Sequence, residues 1–152
     1  STLFPYTTLF RSMTASPFAA SAAFAGLGGA LGLLLALLAP WAARVLSDGA
    51  IALPLALLAA NVVNVVIEAA KQPLGMYMTD PAGLRFQMLP VLILVPMNLA
   101  LSWVLIAPLG SAGPIVGSVA SVIVCQIIPY GLWVRRDLRR RRARAGAQEA
   151  VD

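Results

Sequence analysis

The sequence predicts an all-α fold: a polytopic transmembrane helical bundle with four membrane spans. Three observations carry the prediction. No charged side chain occurs between Arg85 and Arg135, and that interval holds two apolar runs, Phe86 to Ala107 and Gly113 to Val134. Of the 152 residues only 11% are charged and 60% are hydrophobic, with a mean hydropathy of +0.86, whereas a soluble domain carries about 25% charged residues. The second apolar run ends in Arg135, Arg136, Arg139, Arg140, Arg141, Arg142 and Arg144, a cluster holding one acid, Asp137. At 1.5 Å per residue each run reaches roughly 33 Å as an α-helix, close to the thickness of a bilayer's hydrocarbon core. A cationic cluster directly after a span resists translocation, so the tail, residues 135–152, is expected on the cytoplasmic face.

Composition also narrows the chemistry. The net charge is +5 and the isoelectric point near 10.4, values that often accompany nucleic-acid binding. Here seven of the eleven cations sit in the tail, with no aromatic residue among them. The tail therefore reads as a topology anchor beside anionic lipid headgroups, and no nucleic-acid partner is expected. Histidine is absent and Cys125 is the only cysteine, which removes metal clusters, Cys/His nucleophile pairs and disulfide frameworks from this chain. No Walker A lysine motif or dinucleotide-type fingerprint occurs, and Gly26-Leu27-Gly28-Gly29 lies inside an apolar run where helix packing explains it. Glu68 and Asp80 stand apart without a second carboxylate, so no general acid/base pair is in view. No enzyme, cofactor or metal is expected.

Taken in order, Ser1 to Ser12 differs from the remainder: its Thr2-Leu3-Phe4 and Thr8-Leu9-Phe10 repeats precede an Ala/Leu/Gly-rich chain. Thr2 to Ser12 closely resembles the in-frame translation of a common sequencing-adapter oligonucleotide, whose final bases CTCTTCCGATCT encode Leu-Phe-Arg-Ser. Ser1 to Ser12 is therefore expected to be a read-assembly artefact, set aside from fold reasoning, and the chain to be part of a longer protein. The other reading is a native amphipathic N-terminus. Pro17 to Ala39 carries no charge and predicts a first span, opened by Ser16-Pro17 and ended at the interface by Pro40-Trp41. Its Gly28/Gly32 pair, and the second small stripe Ala22, Gly26 and Ala30, predict close helix packing.

Arg44 to Gly49 predicts a short polar turn, and Ala50 to Ala70 a second span with Pro54 near its first turn. Pro73, Gly75, Thr79-Asp80-Pro81 and Gly83 predict a loop over Lys71 to Arg85. The third span is 86–107, a tight turn covers Ala107 to Pro114, and the fourth span is 113–134. Gly113, Gly117, Ser121 and Cys125 recur at four-residue spacing in the fourth, another small packing face. Counting back from a cytoplasmic tail puts the Lys71 to Arg85 loop, with two cations and Asp80, inside and the uncharged Ala107 to Pro114 turn outside. Both ends are then cytoplasmic.

One span breaks the apolar rule. At 100° per residue Asn61, Asn64, Glu68 and Lys71 fall within an arc of about 80°, opposite Ala59, Val63, Val66, Ile67 and Ala70. A carboxylate at the bilayer centre costs on the order of 2.5 to 3.5 kcal/mol, so the stripe is expected to face the bundle interior or a water-filled cavity. Two readings stay open. Glu68 near the cytoplasmic end pairs with Lys71 and closes the helix; or Asn61 and Asn64 line a transport path while Glu68 senses protons or gates it.

The run Asn98-Leu99-Ala100-Leu101-Ser102-Trp103-Val104-Leu105-Ile106-Ala107-Pro108-Leu109-Gly110-Ser111-Ala112-Gly113 resembles a recurring pattern of polysaccharide transporters, in which an Asn-x-x-Leu helix ends in a Pro-x-Gly-x-x-Gly turn that opens the next helix. Gly75 to Arg85 resembles their cytoplasmic loop, and the similarity covers roughly Ala50 to Arg142. The family is the O-antigen or capsular polysaccharide flippases of the multidrug/oligosaccharidyl-lipid/polysaccharide exporter superfamily. The resemblance implies a transporter of two helical bundles that moves an undecaprenyl-diphosphate-linked oligosaccharide across the bacterial inner membrane. This chain would supply its last four helices, and the remaining N-terminal helices would be its partners along with the lipid bilayer. It also adds Asn98 to the substrate-path residues Asn61, Asn64, Glu68 and Lys71. Family members are thought to hold the diphosphate with cations in a central cavity; the four spans here carry no Arg or Lys at mid-membrane depth, so that clamp would come from elsewhere. A multidrug-type antiporter or lipid II flippase of the same superfamily, a small four-helix membrane scaffold and a membrane-embedded glycosyl-transfer enzyme are the other readings.

Overall fold

The computed structural model describes residues 17–149; the segment Ser1 to Ser12 lies outside the described residues. Within them the chain is helical throughout and has no strand: α1 (Pro17–Leu46), α2 (Leu55–Tyr77), α3 (Pro81–Leu109), a 3₁₀ turn (Gly110–Ala112), α4 (Gly113–Val122), a π turn (Ile123–Ile127) and α5 (Ile128–Glu149). By length and composition α1, α2 and the stretch Pro81–Arg141 are long and apolar enough to cross a membrane.

The last stretch is not straight. Gly110 adopts φ 55° and ψ −130°, a backbone conformation open to glycine, and its N–H donates to the Ile106 carbonyl. The chain then doubles back, so that α4 and α5 run antiparallel to α3. A β-carbon on Gly113 would lie 2.5 Å from the Leu105 carbonyl oxygen, and one on Gly117 2.9 Å from the Ser102 nitrogen. Both approaches are to backbone, so only glycine permits them. Ser121 and Cys125 continue the same face into the interior, as their spacing predicts. The buried Ser121 hydroxyl donates to the Gly117 carbonyl, 2.7 Å away, satisfying itself within its own helix.

The first hairpin uses the same device. α1 packs antiparallel on α2, with Gly28 and Gly32 buried against Ala69, Val65 and Val62. The second small stripe does not pack: Ala22, Gly26 and Ala30 are exposed. Ser47, Asp48 and Gly49 turn the chain, with Asp48 at φ 48° and Gly49 at φ 83°, and the Gly49 N–H caps the Arg44 carbonyl.

Three expected boundaries move. α1 continues through Pro40 to Leu46 rather than ending at Pro40-Trp41; a proline there forfeits a single backbone bond, to Ala36. α2 starts at Leu55 rather than Ala50, with Pro54 as the residue before it, next to the first turn as expected. The predicted loop over Lys71 to Arg85 shrinks to Met78, Thr79 and Asp80, because α2 runs through Pro73 to Tyr77 and α3 begins at Pro81. Asp80 caps α3 by accepting from the Gly83 N–H at 3.2 Å, with Pro81 at the first helical position. The turn signals were those of a helix start.

α2 sits between α1 and the α4–α5 rod, in contact with both. Leu74, Met78, Tyr130 and Val134 form the buried apolar core, flanked by Tyr77, Phe86, Trp133 and Leu138. This core lies at one end of the bundle, the end where Phe18 of α1 meets Arg135 of α5. The start of α1 and the last helix therefore share that end. Elsewhere large apolar side chains point outward, among them Leu37, Leu92, Leu99 and Trp103 at 69–82% exposure. Such a surface is far larger than the apolar patches of a soluble monomer.

Candidate functional site

Three polar assemblies interrupt the apolar bundle. The first is the stripe of α2. Glu68 and Lys71 form an ion pair of 2.6 Å within the helix, their side chains 39% and 19% exposed. Asn61 is exposed and its Nδ2 donates to the Leu57 carbonyl at 3.1 Å. Asn64 is half-buried. The face of α2 that meets α1 carries Val62, Val65, Val66 and Ala69, so the polar residues lie on other sides. Only Asn61 borders a recess between the two helices, about 160 Å³, with Gly32, Ala36 and Leu58. Within the described residues the stripe is thus not enclosed: its hydrogen bonds and ion pair stay inside α2.

The second assembly is built on Asn98, in the middle of α3. Its Oδ1 accepts from the Ser102 hydroxyl at 3.0 Å and from the Ser118 hydroxyl at 3.2 Å. Ser102 sits one helical turn on, and Ser118 faces it from α4 beside Gly117. The absence of a side chain at Gly117 brings the two helices close enough for both bonds. Asn98 is therefore a clasp of the hairpin, and among the described residues no hydrogen bond or ion pair joins it to the α2 stripe.

The third assembly lies at the arginine end and was only partly legible. The Tyr77 hydroxyl donates to Asp137 Oδ2 at 2.8 Å, and Arg141 Nε donates to the same oxygen at 2.6 Å. The Arg141 guanidinium also covers the Tyr77 ring, 5.7 Å from its centroid. Trp133 stacks on Phe86 and meets Tyr77 edge-on. Gln87 Nε2 donates to the Met78 carbonyl at 2.8 Å, closing the short connection between α2 and α3. Asp137 and Arg141 stand at i and i+4, a spacing that signals a pair. The partner Tyr77, 60 residues away, leaves no local signal. Arg135, Arg136, Arg139 and Arg140 are exposed, and the side chains of Arg142 and Arg144 lie outside the described set.

Sequence reasoning also missed Gln126. The π turn that carries it is closed by the Ile128 N–H, which donates to the Ile123 carbonyl five residues back. It precedes Pro129, whose ring would press on the Cys125 carbonyl in a regular helix, and the wider turn relieves this. Cys125 and Gln126 are turned inward, Cys125 Sγ 3.8 Å from Met97 Sδ. Gln126 Oε1 is buried without a hydrogen-bond partner. No group of three His, Cys, Asp or Glu side chains that could hold a metal occurs among the described residues. In comparison with known proteins, the chain matches no family model, no curated protein and no solved structure.

Proposed function

We propose that the chain crosses the bacterial inner membrane four times, arginine end in the cytoplasm, as the C-terminal part of a transporter that flips undecaprenyl-diphosphate-linked oligosaccharide for polysaccharide biosynthesis. The observation that carries the reading is the Asn98 to Gly113 run, whose Asn-x-x-Leu and Pro-x-Gly-x-x-Gly elements resemble the flippase pattern. Its geometry supports a membrane hairpin: two apolar helices reversed at Gly110, locked by glycine contacts and joined by one shared amide oxygen. Trp41 and Trp103 are exposed towards one end and the arginines gather at the other, the arrangement of interfacial aromatics against a positive-inside end.

In this reading the α2 stripe is the surface offered to the transport path. It is polar, borders the α1–α2 recess through Asn61, and is only partly covered by the other described helices, so the N-terminal helices of the parent would complete the enclosure. The Glu68–Lys71 pair closes the cytoplasmic end of the stripe, neutralising two charges that would otherwise stand alone near lipid.

Recovery of the upstream coding sequence tests the proposal. Further apolar spans in the same reading frame, continuous with the four described here, are the expected result. A second test is reconstitution: flipping of lipid-linked sugar by the purified 152-residue chain alone would contradict the assignment of this chain as a part.

A further inference from the structure

At the arginine end, α1, α2 and α5 leave between them an open groove of about 370 Å³. Its walls are apolar but for one hydroxyl, with Phe18 of α1, Ala70 and Leu74 of α2, and Ile128 and Gly131 of α5; the hydroxyl, of Ser21, donates to the Pro17 carbonyl at 2.9 Å. At the rim stands one cation, Arg135. Its guanidinium lies over the Phe18 ring, 5.6 Å from the centroid, which holds it above the groove mouth while leaving its in-plane N–H donors open. Among the described residues Arg135 forms no ion pair. Arg135 is also the first charge after the apolar run, which sets it at the level of lipid headgroups. Gly131 has open space where a side chain would be, with nothing within 4 Å. The groove is therefore apolar along its length, open sideways, and cationic at one end only.

We propose that this groove binds one anionic phospholipid, its acyl chain along Gly131, Leu74 and Ala70 and its phosphate against the Arg135 guanidinium. The match is one of shape and charge together. An acyl chain has no polar group to satisfy, and the one hydroxyl on the walls, of Ser21, is already bonded to the Pro17 carbonyl. A phosphate diester presents two oxygens to the fork of N–H donors that arginine supplies. Arg136, Arg139, Arg140 and Arg141, further along α5, raise the local concentration of anionic lipid but do not border the groove. The site needs the membrane setting and stands apart from transport: a chain of any membrane function could carry it.

The test is native mass spectrometry of the full chain released from vesicles of phosphatidylglycerol and phosphatidylcholine in equal amounts with identical acyl chains. The wild type is expected to retain one phosphatidylglycerol, in about fivefold excess over phosphatidylcholine. Arg135→Gln, at an exposed position that leaves the core intact, should abolish the excess, whereas Arg140→Gln should keep it. Gly131→Trp should fill the groove and remove retained lipid of both kinds, with unchanged circular dichroism. Equal losses in Arg135→Gln and Arg140→Gln would show diffuse attraction to the tail and overturn the site. Equal retention of the two lipids by the wild type, or displacement of phosphatidylglycerol by inorganic phosphate, would overturn it as well.

Discussion

Tyr77 donates a hydrogen bond to Asp137, and that one contact ties the last residue of α2 to the arginine segment of α5. The carboxylate takes a second proton donor from Arg141, and the Arg141 guanidinium lies over the Tyr77 ring. Three side chains so connected bind the two hairpins at the end where the buried core is concentrated.

Removing the tyrosine hydroxyl by Tyr77→Phe is expected to destabilise the bundle by about 1.5 kcal/mol, the low end for a bond to a charged group because Asp137 is partly exposed. Thermal unfolding in detergent measures it. Asp137 lies beyond the apolar run that ends at Val134. Burial alone would push its carboxyl up, yet the hydrogen bonds from Arg141 and Tyr77 outweigh burial and hold it below the usual carboxylate range. A carboxyl titrating lower in the folded state stabilises fully above its unfolded pKa and loses that contribution as pH falls through the folded value. The difference between wild type and Asp137→Asn should therefore be present at neutral pH and vanish in acid. A difference that persists in acid would show that the ionised carboxylate is not the source.

Glycine substitutions should separate the packed faces from the open ones. Gly117→Ala forces a β-carbon against the Ser102 backbone and Gly28→Ala one against the Ala69 side chain, so each is expected to cost about 1 to 3 kcal/mol. Gly26→Ala meets nothing within 4 Å and should be neutral or slightly stabilising through helix propensity. Comparable losses at Gly26 and Gly117 would contradict the hairpin packing.

Asn98→Leu should weaken the α3–α4 hairpin only modestly. Interhelical hydrogen bonds in membranes average about 0.6 kcal/mol, and Asn98 makes one across the interface, to Ser118. A double-mutant cycle with Ser118→Ala is expected to give a coupling of about that size. A coupling of zero would remove the clasp, and loss of export without loss of stability would support a place for Asn98 on the proposed transport path.

The α2 stripe yields a comparison within one helix. If the proposed transport reading holds, Asn64→Leu in the longer protein is expected to lower surface polymer at matched expression, since it would replace an amide on the transport path by an alkyl group. Glu68→Gln, which breaks the Lys71 pair at the end of the stripe, should cost less. Normal export by both variants across a range of external pH would make the stripe structural.

Much of this fold could be read from residue patterns. The reversal at Gly110 was legible in the Pro/Gly break between two apolar runs, and the Gly113/Gly117/Ser121/Cys125 face and the Gly28/Gly32 pair in their spacing, because close helix approach demands small residues at a fixed period; Ala22, Gly26 and Ala30 share that spacing and do not pack. The connection after α2 was misread for a physical reason: Asp80, Pro81 and Gly83 are turn formers and helix-start residues alike, and only the cap bond to the Gly83 N–H distinguishes the two. The Tyr77–Asp137 bond and the unpartnered Gln126 Oε1 depend on how helices meet, which periodicity within one helix does not encode. The stripe was legible as a polar arc, but how far the other described helices cover it, leaving Asn61 exposed and Lys71 largely covered, was not.

Four crossings are the central claim, and impermeant-maleimide labelling of single cysteines in intact cells tests them most directly. With Cys125 replaced by alanine, cysteines are placed one at a time at the exposed positions Asp48, Thr79, Ser111 and Gln148. Labelling from outside is expected at Asp48 and Ser111, with Thr79 and Gln148 reached only after permeabilisation. Labelling of Ser111 and Thr79 from the same side would mean that α3 does not cross the membrane, and the four-span account would fail.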